Sequence, residues 1–342
     1  MSKKVILTGI RANNDLHIGN YFGALLPIID MAKKHAGDYQ INLFVPDLHS
    51  FTTPIDHRKL QEQIKHNLKL FVAAGLPLDN PDVHIYRQSR IPAHSELTWI
   101  LSCFTGFGEM SRMIEFKDKS QKLGNDRTSV GLFTYPILQT ADILLYQSSF
   151  VPVGEDQRQH IEFARDISSR FNNRFGDTFT LPNDEKEYLK LSVDTQDLRI
   201  RDLVDPSKKM SKSEDSHKGI IFLGDDPKAA AKKIMGATSD SIGEINYDIE
   251  KQPGVSNLLQ ILALLNNQDL ETVTNTYRGQ TQYGELKKAV AEAVESFLED
   301  FQSRLAQVDE DTLQTKLESS EVKMNEIANA TLLRVQKAVG LR

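Results

Sequence analysis

The stretch Asp15-Leu16-His17-Ile18-Gly19-Asn20 follows an apolar run, Val5-Ile6-Leu7, and opens a periodic stretch from Ile18 to Met31. The run predicts a strand and the periodic stretch a helix, so these six residues form a strand-to-helix turn. Backbone N–H groups at a helix start point at anions, and Gly19 lets a flat base or a phosphate approach closely. Far downstream, Lys208-Lys209-Met210-Ser211-Lys212-Ser213 predicts a loop whose lysines flank small hydroxyl residues. Such a loop can reach over phosphates and withdraw again. In this order the two stretches describe a site that cradles a triphosphate from two sides.

Strand-like and helix-like segments alternate around the first stretch. Ile41–Val45 predicts a strand ending at Pro46-Asp47-Leu48-His49, with Thr52-Thr53-Pro54 as a cap before a helix from about Arg58 to Ala74. Val83–Tyr86 predicts a strand and Val151-Pro152-Val153 a strand fragment. Helices are predicted around Glu96–Ser102, from Tyr135 to Tyr146, and from Gly154 to about Phe171. The alternation indicates an α/β chain with a doubly wound parallel sheet, in which ligands sit at the carboxyl ends of the strands. Thr8-Gly9, Asp47–His49 and Val153-Gly154 fall there.

After the lysine loop strand signals vanish and helical periodicity runs from Pro227 to the end. Leu286, Val290, Ala293, Phe297, Phe301 and Leu305, then Val322, Ile327, Leu332, Val335 and Val339, predict the core faces of a helical region. A boundary near Asp205-Pro206 divides the chain into residues 1–204, the loop 205–220 and a helical part 221–342.

The chain has 342 residues, enough for two domains, and a formal net charge of -6, which argues against non-specific nucleic-acid binding. Local basic patches remain available to an RNA partner, among them Lys228, Lys232 and Lys233, with Lys287 and Lys288 on faces predicted to be exposed. A single cysteine, Cys103, excludes disulfides within the chain and a Cys-based zinc site, and fits a reducing cytoplasm. No stretch reaches the length of a membrane span, and Met1-Ser2-Lys3-Lys4 runs into a strand rather than a signal sequence.

Several residues stand out chemically. Asp142 sits in an otherwise apolar helix and needs a partner, because burying a lone carboxylate costs several kcal/mol (roughly;). It is either a structural ion-pair member or an acceptor for a ligand donor, with Gln139 one turn earlier. His17 is either a satisfied core histidine or a phosphate contact. Glu155 and Asp156 are either an acidic first turn or acceptors for ribose hydroxyls. Lys117 and Lys119 lie in a run that alone reads as a charged surface.

Taken together, the chain resembles the bacterial-type tryptophanyl-tRNA synthetases, members of the class I aminoacyl-tRNA synthetases. The resemblance runs from Ile6 to about Leu265 and continues more weakly to Leu341. It is carried by Thr8-Gly9-Ile10, His17-Ile18-Gly19-Asn20-Tyr21, Gln88-Ser89, Arg112-Met113 through Ser120, and Tyr135-Pro136 through Tyr146. Val151–His160 and Asp205-Pro206 through Ser213 complete it. It implies a Rossmann-like catalytic domain with a C-terminal helical domain that reads the anticodon end of tRNA(Trp), and a homodimer to which an apolar helix around Ile91–Phe107 contributes.

The resemblance further implies that Arg11, Ala12, Asn13, Gly19 and Asn20 line the ATP site, with Gly154, Glu155, Asp156 and Ile200 on ribose and adenine. Lys209, Met210, Ser211, Lys212 and Ser213 would form the mobile loop over the phosphates. Lys119 would be a third cation near pyrophosphate, and His17, Asn20, Lys209, Lys212 and Ser213 belong with it among the catalytic residues. Asp142 would accept the indole N–H of L-tryptophan, with Leu7, Tyr135, Gln139, Val153 and Gln157 shaping the pocket. ATP with its Mg²⁺ is a substrate, and no protein-bound metal is expected.

Five features depart from the family pattern. Asn20 replaces a second His, Leu7 a frequent Phe, Arg11 a Gln, Ala12-Asn13-Asn14 a Pro-Ser-Gly-like turn, and Gln139 a frequent Met. The Gln139–Asp142 pair resembles the tyrosine branch, so a tyrosyl-tRNA synthetase stands as the alternative. An adenylyl transferase for a small metabolite and a non-catalytic paralogue are more remote readings.

Overall fold

A computed structural model describes residues 3–10, 15–124, 128–154, 157–183, 199–211 and 217–342. Arg11, Ala12, Asn13, Glu155, Asp156, Lys212 and Ser213 lie outside the described residues. Three strands, β1 (Lys4–Gly9), β2 (Tyr39–Val45) and β3 (Val83–Arg87), pair in parallel in that order. Phe150 bridges Ile6 in parallel on the other side of β1, where its carbonyl accepts from the Leu7 N–H at 2.9 Å. The Val151–Val153 fragment does not continue this pairing. Pro152 lacks the N–H that a ladder requires.

Register assigns the faces. Ile6, Ile41, Leu43, Val83 and Ile85 point into one apolar cluster, whereas Val5, Leu7, Phe44 and Tyr86 point into another. A sheet buried on both faces is the doubly wound arrangement expected of parallel strands.

The predicted helix at Ile18 forms in pieces that run on from each other: α1 (Ile18–Asn20), a π-helical segment Tyr21–Leu25, and α2 (Leu26–His35). Further along come α3 (Leu60–Ala73), α4 (Ala93–Ser102), α5 (Phe107–Met110), α6 (Ile114–Leu123), α7 (Val130–Leu144) and α8 (Arg158–Phe175). Several boundaries differ from the sequence reading: α8 runs Arg158–Phe175 rather than from Gly154 to about Phe171, and two others have a local cause. Residues His49–Thr52 form a 3-10 turn and α3 starts at Leu60 with no side-chain cap, so Thr52 and Thr53 cap nothing. Helix α7 starts at Val130, because the Ser129 hydroxyl accepts from the Leu132 N–H and starts the helix early. Pro136 lies within it.

Beyond the lysine loop come α9 (Pro227–Met235), α10 (Pro253–Leu265), α11 (Leu270–Tyr277), α12 (Tyr283–Ala306) and α13 (Glu310–Ala338). Most of their apolar side chains join the first cluster, where Phe297 and Phe301 stack edge-on against Tyr21 at 5.0 and 5.6 Å, whereas Met324, Ala328, Leu332 and Val335 of α13 join the second. Val322, predicted to be core, is 63% exposed, while Met324 and Ala328 are buried. Leu332 and Val335 are buried as predicted, so Val322 alone lies off the α13 stripe that Leu317, Met324, Ala328, Leu332 and Val335 form. Lys233 and Lys287 are not free surface cations either. Lys233 pairs with Asp225 at 2.7 Å and Lys287 donates to the Ala237 carbonyl at 2.7 Å.

Helix α13 lies along β3 and satisfies its outer edge. The Ile85 N–H donates to Ser320 Oγ and the Arg87 N–H to Glu321 Oε1, both at 3.3 Å. An edge strand whose outward N–H groups are occupied this way offers no template for pairing with another chain.

Candidate active site

The carboxyl ends of β2 and β3 are fastened together. Gln88 accepts from the Leu48 N–H at 3.1 Å, and Asp47 accepts from the Ser89 N–H at 2.8 Å and from its hydroxyl. These bonds fix the direction of His49, one residue beyond Leu48. Asp142 arrives from α7 on the second face, and the partner that a buried carboxylate needs proves to be three groups. Gln88 Nε2 and His94 Nδ1 meet Oδ1 at 2.7 and 2.6 Å, and His49 Nε2 meets Oδ2 at 2.8 Å. His94 Nε2 lies 2.8 Å from the Tyr146 hydroxyl.

Asp142 is 1% exposed. Burial alone would raise its pKa, but hydrogen bonds and charge from His49 and His94 outweigh it and bring the group down to about 2. The carboxylate therefore stays ionised in the dry interior. Gln139 does not bond Asp142; its amide faces Gln157 at 3.5 Å.

Tyr135, on the same helix, is stacked edge-on against His49 with ring centres 6.1 Å apart, and its hydroxyl lies 2.9 Å from His160 Nε2. Lys119 Nζ lies 4.9 Å from the centre of the Tyr135 ring and 3.1 Å from Glu115. A cation over an aromatic face is held by the ring quadrupole. Val153 and Gly154 are exposed at the end of the sheet, whereas Leu7 is packed in the second core cluster beneath it.

On the other side of β1, His17 is the N-cap of α1. Its Nδ1 accepts from the Asn20 N–H at 3.2 Å, and Asn20 Oδ1 accepts from the His17 N–H at 3.3 Å. Asn20 thus has a structural reason to stand here: it closes a reciprocal cap. An accepting Nδ1 leaves the ring proton on Nε2, where it can be donated. A Cβ on Gly19 would lie 3.0 Å from the His17 ring and 3.7 Å from Ile200, so a side chain there would have to push the ring aside by a few tenths of an ångström.

Ile200 links this turn to the lysine loop. Arg201 and Lys209 form an antiparallel bridge, the Met210 N–H donates to the Ile200 carbonyl at 3.0 Å, and Met210 is buried in the core. Lys209 is exposed and Ser211 partly so. Met210 thus anchors the strand of the loop from which Lys209 projects. The structure brings together His17, Gly19, Asn20 and Ile200 on one side, and Asp142, Tyr135 and Lys119 on the other.

Comparison with known proteins places this arrangement. The model for "tRNA synthetases class I (W and Y)" matches residues 2–299, and the chain belongs to that family. Within it, the chain is of the bacterial tryptophanyl type. It is 44% identical over 338 residues to "Tryptophan--tRNA ligase 2" of Streptomyces avermitilis, covering 98% of this chain and 96% of that one. It is 42% identical to the tryptophan--tRNA ligase of Caldanaerobacter subterraneus, covering 99% and 98%. Among solved structures, the tryptophanyl-tRNA synthetase of Mycoplasma pneumoniae superposes with a TM-score of 0.81 at 32% identity, covering 100% of this chain and 99% of that one. That of Campylobacter jejuni, complexed with ADP and tryptophan, superposes at 0.78 and 30%, covering 98% and 99%.

The sequence reading gave Asp142 no named protein partners. His49, Gln88 and His94 stand 93, 54 and 48 residues from it along the chain. Asp47–His49 and Gln88-Ser89 were visible as strand ends, which is the signal that could have grouped them with Asp142. His94 carries no such mark.

Proposed function

We propose that the chain activates L-tryptophan with ATP and transfers the activated acyl group to tRNA(Trp), releasing AMP and pyrophosphate. The observation that carries this reading is the state of Asp142. It is buried and ionised, and its described partners leave one acceptor position on Oδ2, a place for a single ligand N–H (a carboxylate offers about four lone-pair sites;). A buried acceptor left unpaired by the wrong amino acid discriminates strongly. Full-length similarity to tryptophan–tRNA ligases favours tryptophan over tyrosine as the ligand.

In the first step a carboxylate oxygen of tryptophan attacks the α-phosphorus of ATP, and the bond to the pyrophosphate oxygen breaks. The carboxylate is already ionised, so no general base is required. The enzyme's task is alignment and stabilisation of charge on the leaving group. Lys119, Lys209 and Lys212 carry that charge together with the Mg²⁺ that ATP brings. The turn at His17, Gly19 and Asn20, with Arg11, Ala12 and Asn13, holds the nucleotide. Gly154, Glu155, Asp156 and Ile200 hold ribose and adenine, and Met210, Ser211 and Ser213 close the loop. Leu7, Tyr135, Gln139, Val153 and Gln157 shape the amino-acid pocket around Asp142. Loop cations act best if they engage as charge develops rather than gripping ground-state ATP.

Residues 1–204 serve as the catalytic domain, 205–220 as the mobile loop and 221–342 as the anticodon-reading part. The enzyme works in the cytoplasm as a homodimer. Among the described residues no helix is long and apolar enough to cross a membrane. The decisive experiment is pyrophosphate exchange with tryptophan and tyrosine side by side. Exchange that depends on tryptophan, slowed much more by Lys212→Ala than tryptophan binding is weakened, is the expected result. Exchange driven by tyrosine would overturn the assignment.

A further inference from the structure

Asp142 receives two of its three donors, Gln88 and His94, from one short stretch between the end of β3 and the start of α4. That stretch is held from outside by α13. Arg87, immediately before Gln88, makes a two-pronged contact with the Glu321 carboxylate: Nε to Oε1 at 2.6 Å and Nη2 to Oε2 at 2.9 Å. The Arg90 carbonyl accepts from Asn325 Nδ2 at 3.0 Å, and Glu96 accepts from Gln336 Nε2 at 2.6 Å. One helix therefore grips residues 87, 90 and 96, a span that contains both donors.

The grip is stiff. Arg87 and Glu321 side chains are only 13% and 11% exposed, and a guanidinium fork on a carboxylate fixes direction as well as distance. Gln88 has no slack either, since its oxygen is committed to Leu48 and its nitrogen to Asp142. A shift of Arg87 must therefore appear at Asp142. Nothing comparable links α13 to the Gly19–Ile200 side among the described residues.

We propose that Glu321, acting through Arg87, is a positioning residue for the amino-acid pocket, so that the C-terminal helix sets how tightly tryptophan is held. Asn325 and Gln336 steady the same segment. The proposal rests on Asp142 being the acceptor for the tryptophan N–H.

The test uses the full chain in tryptophan-dependent pyrophosphate exchange without tRNA, with tryptophan binding measured by equilibrium dialysis. Glu321→Gln removes the charge and keeps the shape. It is expected to raise the tryptophan KM and Kd about tenfold, the usual effect of losing a charge-assisted bond, while the ATP KM and kcat stay nearly constant. The exchanged pair, Arg87→Glu with Glu321→Arg, should recover most of the loss. Should Glu321→Gln fail to fold, Asn325→Ala and Gln336→Ala must each weaken tryptophan binding with ATP unaffected. An unchanged tryptophan KM in the folded variants overturns the proposal, as does an equal loss in the ATP KM. A wild-type protein without tryptophan-dependent exchange overturns the functional reading and the proposal with it. Wild-type exchange with unshifted variants overturns only the proposal.

Discussion

Asp142 is the residue proposed to set selectivity, and its surroundings make it sensitive to small changes. Asp142→Asn keeps the size but discards the charge, and it turns an NH2 group toward donors that need an acceptor. Tryptophan KM should rise about 10–100-fold, the range for losing a hydrogen bond to a charged group, and discrimination against tyrosine should fall. Steady-state kinetics with both amino acids checks this; an unaltered tryptophan KM would remove Asp142 from the pocket. The folded carboxyl has a pKa of about 2, below its ordinary value, so it contributes stability above the unfolded pKa that is lost as pH falls toward 2. Gly19→Ala makes a separate point. Its Cβ at 3.0 Å from the His17 ring pushes on the capping histidine, so ATP KM should rise while tryptophan Kd stays constant. Equilibrium dialysis with each ligand separates the two.

Among the elements, the contact between β3 and α13 responds to acid through His84. Burial, aided by the positive charge of Lys316, holds the His84 pKa down at about 4, against an opposing pull from Asp82 and with a smaller contribution from Lys323. The unfolded chain takes up a proton near pH 6.5 and the folded one only near 4. Stability from this group is therefore fully present above about pH 6.5 and is lost as pH falls to about 4. Thermal melts across that window should show a declining Tm, and His84→Gln should flatten the decline. A variant as acid-sensitive as the wild type would assign the decline to other groups.

At the scale of the molecule, the apolar cluster runs from β1 through the helices beyond the lysine loop, and α13 closes the edge of the sheet. Trp99 and Phe107, on and just after α4, are exposed by 72% and 77%. Large exposed apolar side chains suit an interaction site. Both lie in the stretch proposed for the dimer face. The expected outcome is that the wild type sediments as a dimer and the double variant Trp99→Glu and Phe107→Glu as a monomer. A variant that remains dimeric would move the interface elsewhere.

Much of this was written in local sequence. Short apolar runs marked β1, β2 and β3, and helical periodicity marked most of the helices, because side-chain direction follows from backbone geometry within a few residues. The turn at His17–Asn20 and the lysine loop were legible for the same reason: each is a contiguous piece of chain with its chemistry on it. Tertiary structure alone decided what surrounds Asp142, which face α13 buries, and that Glu321 reaches Arg87. Those contacts join residues as far as 240 positions apart, and no local pattern encodes a partner that the chain reaches only after folding.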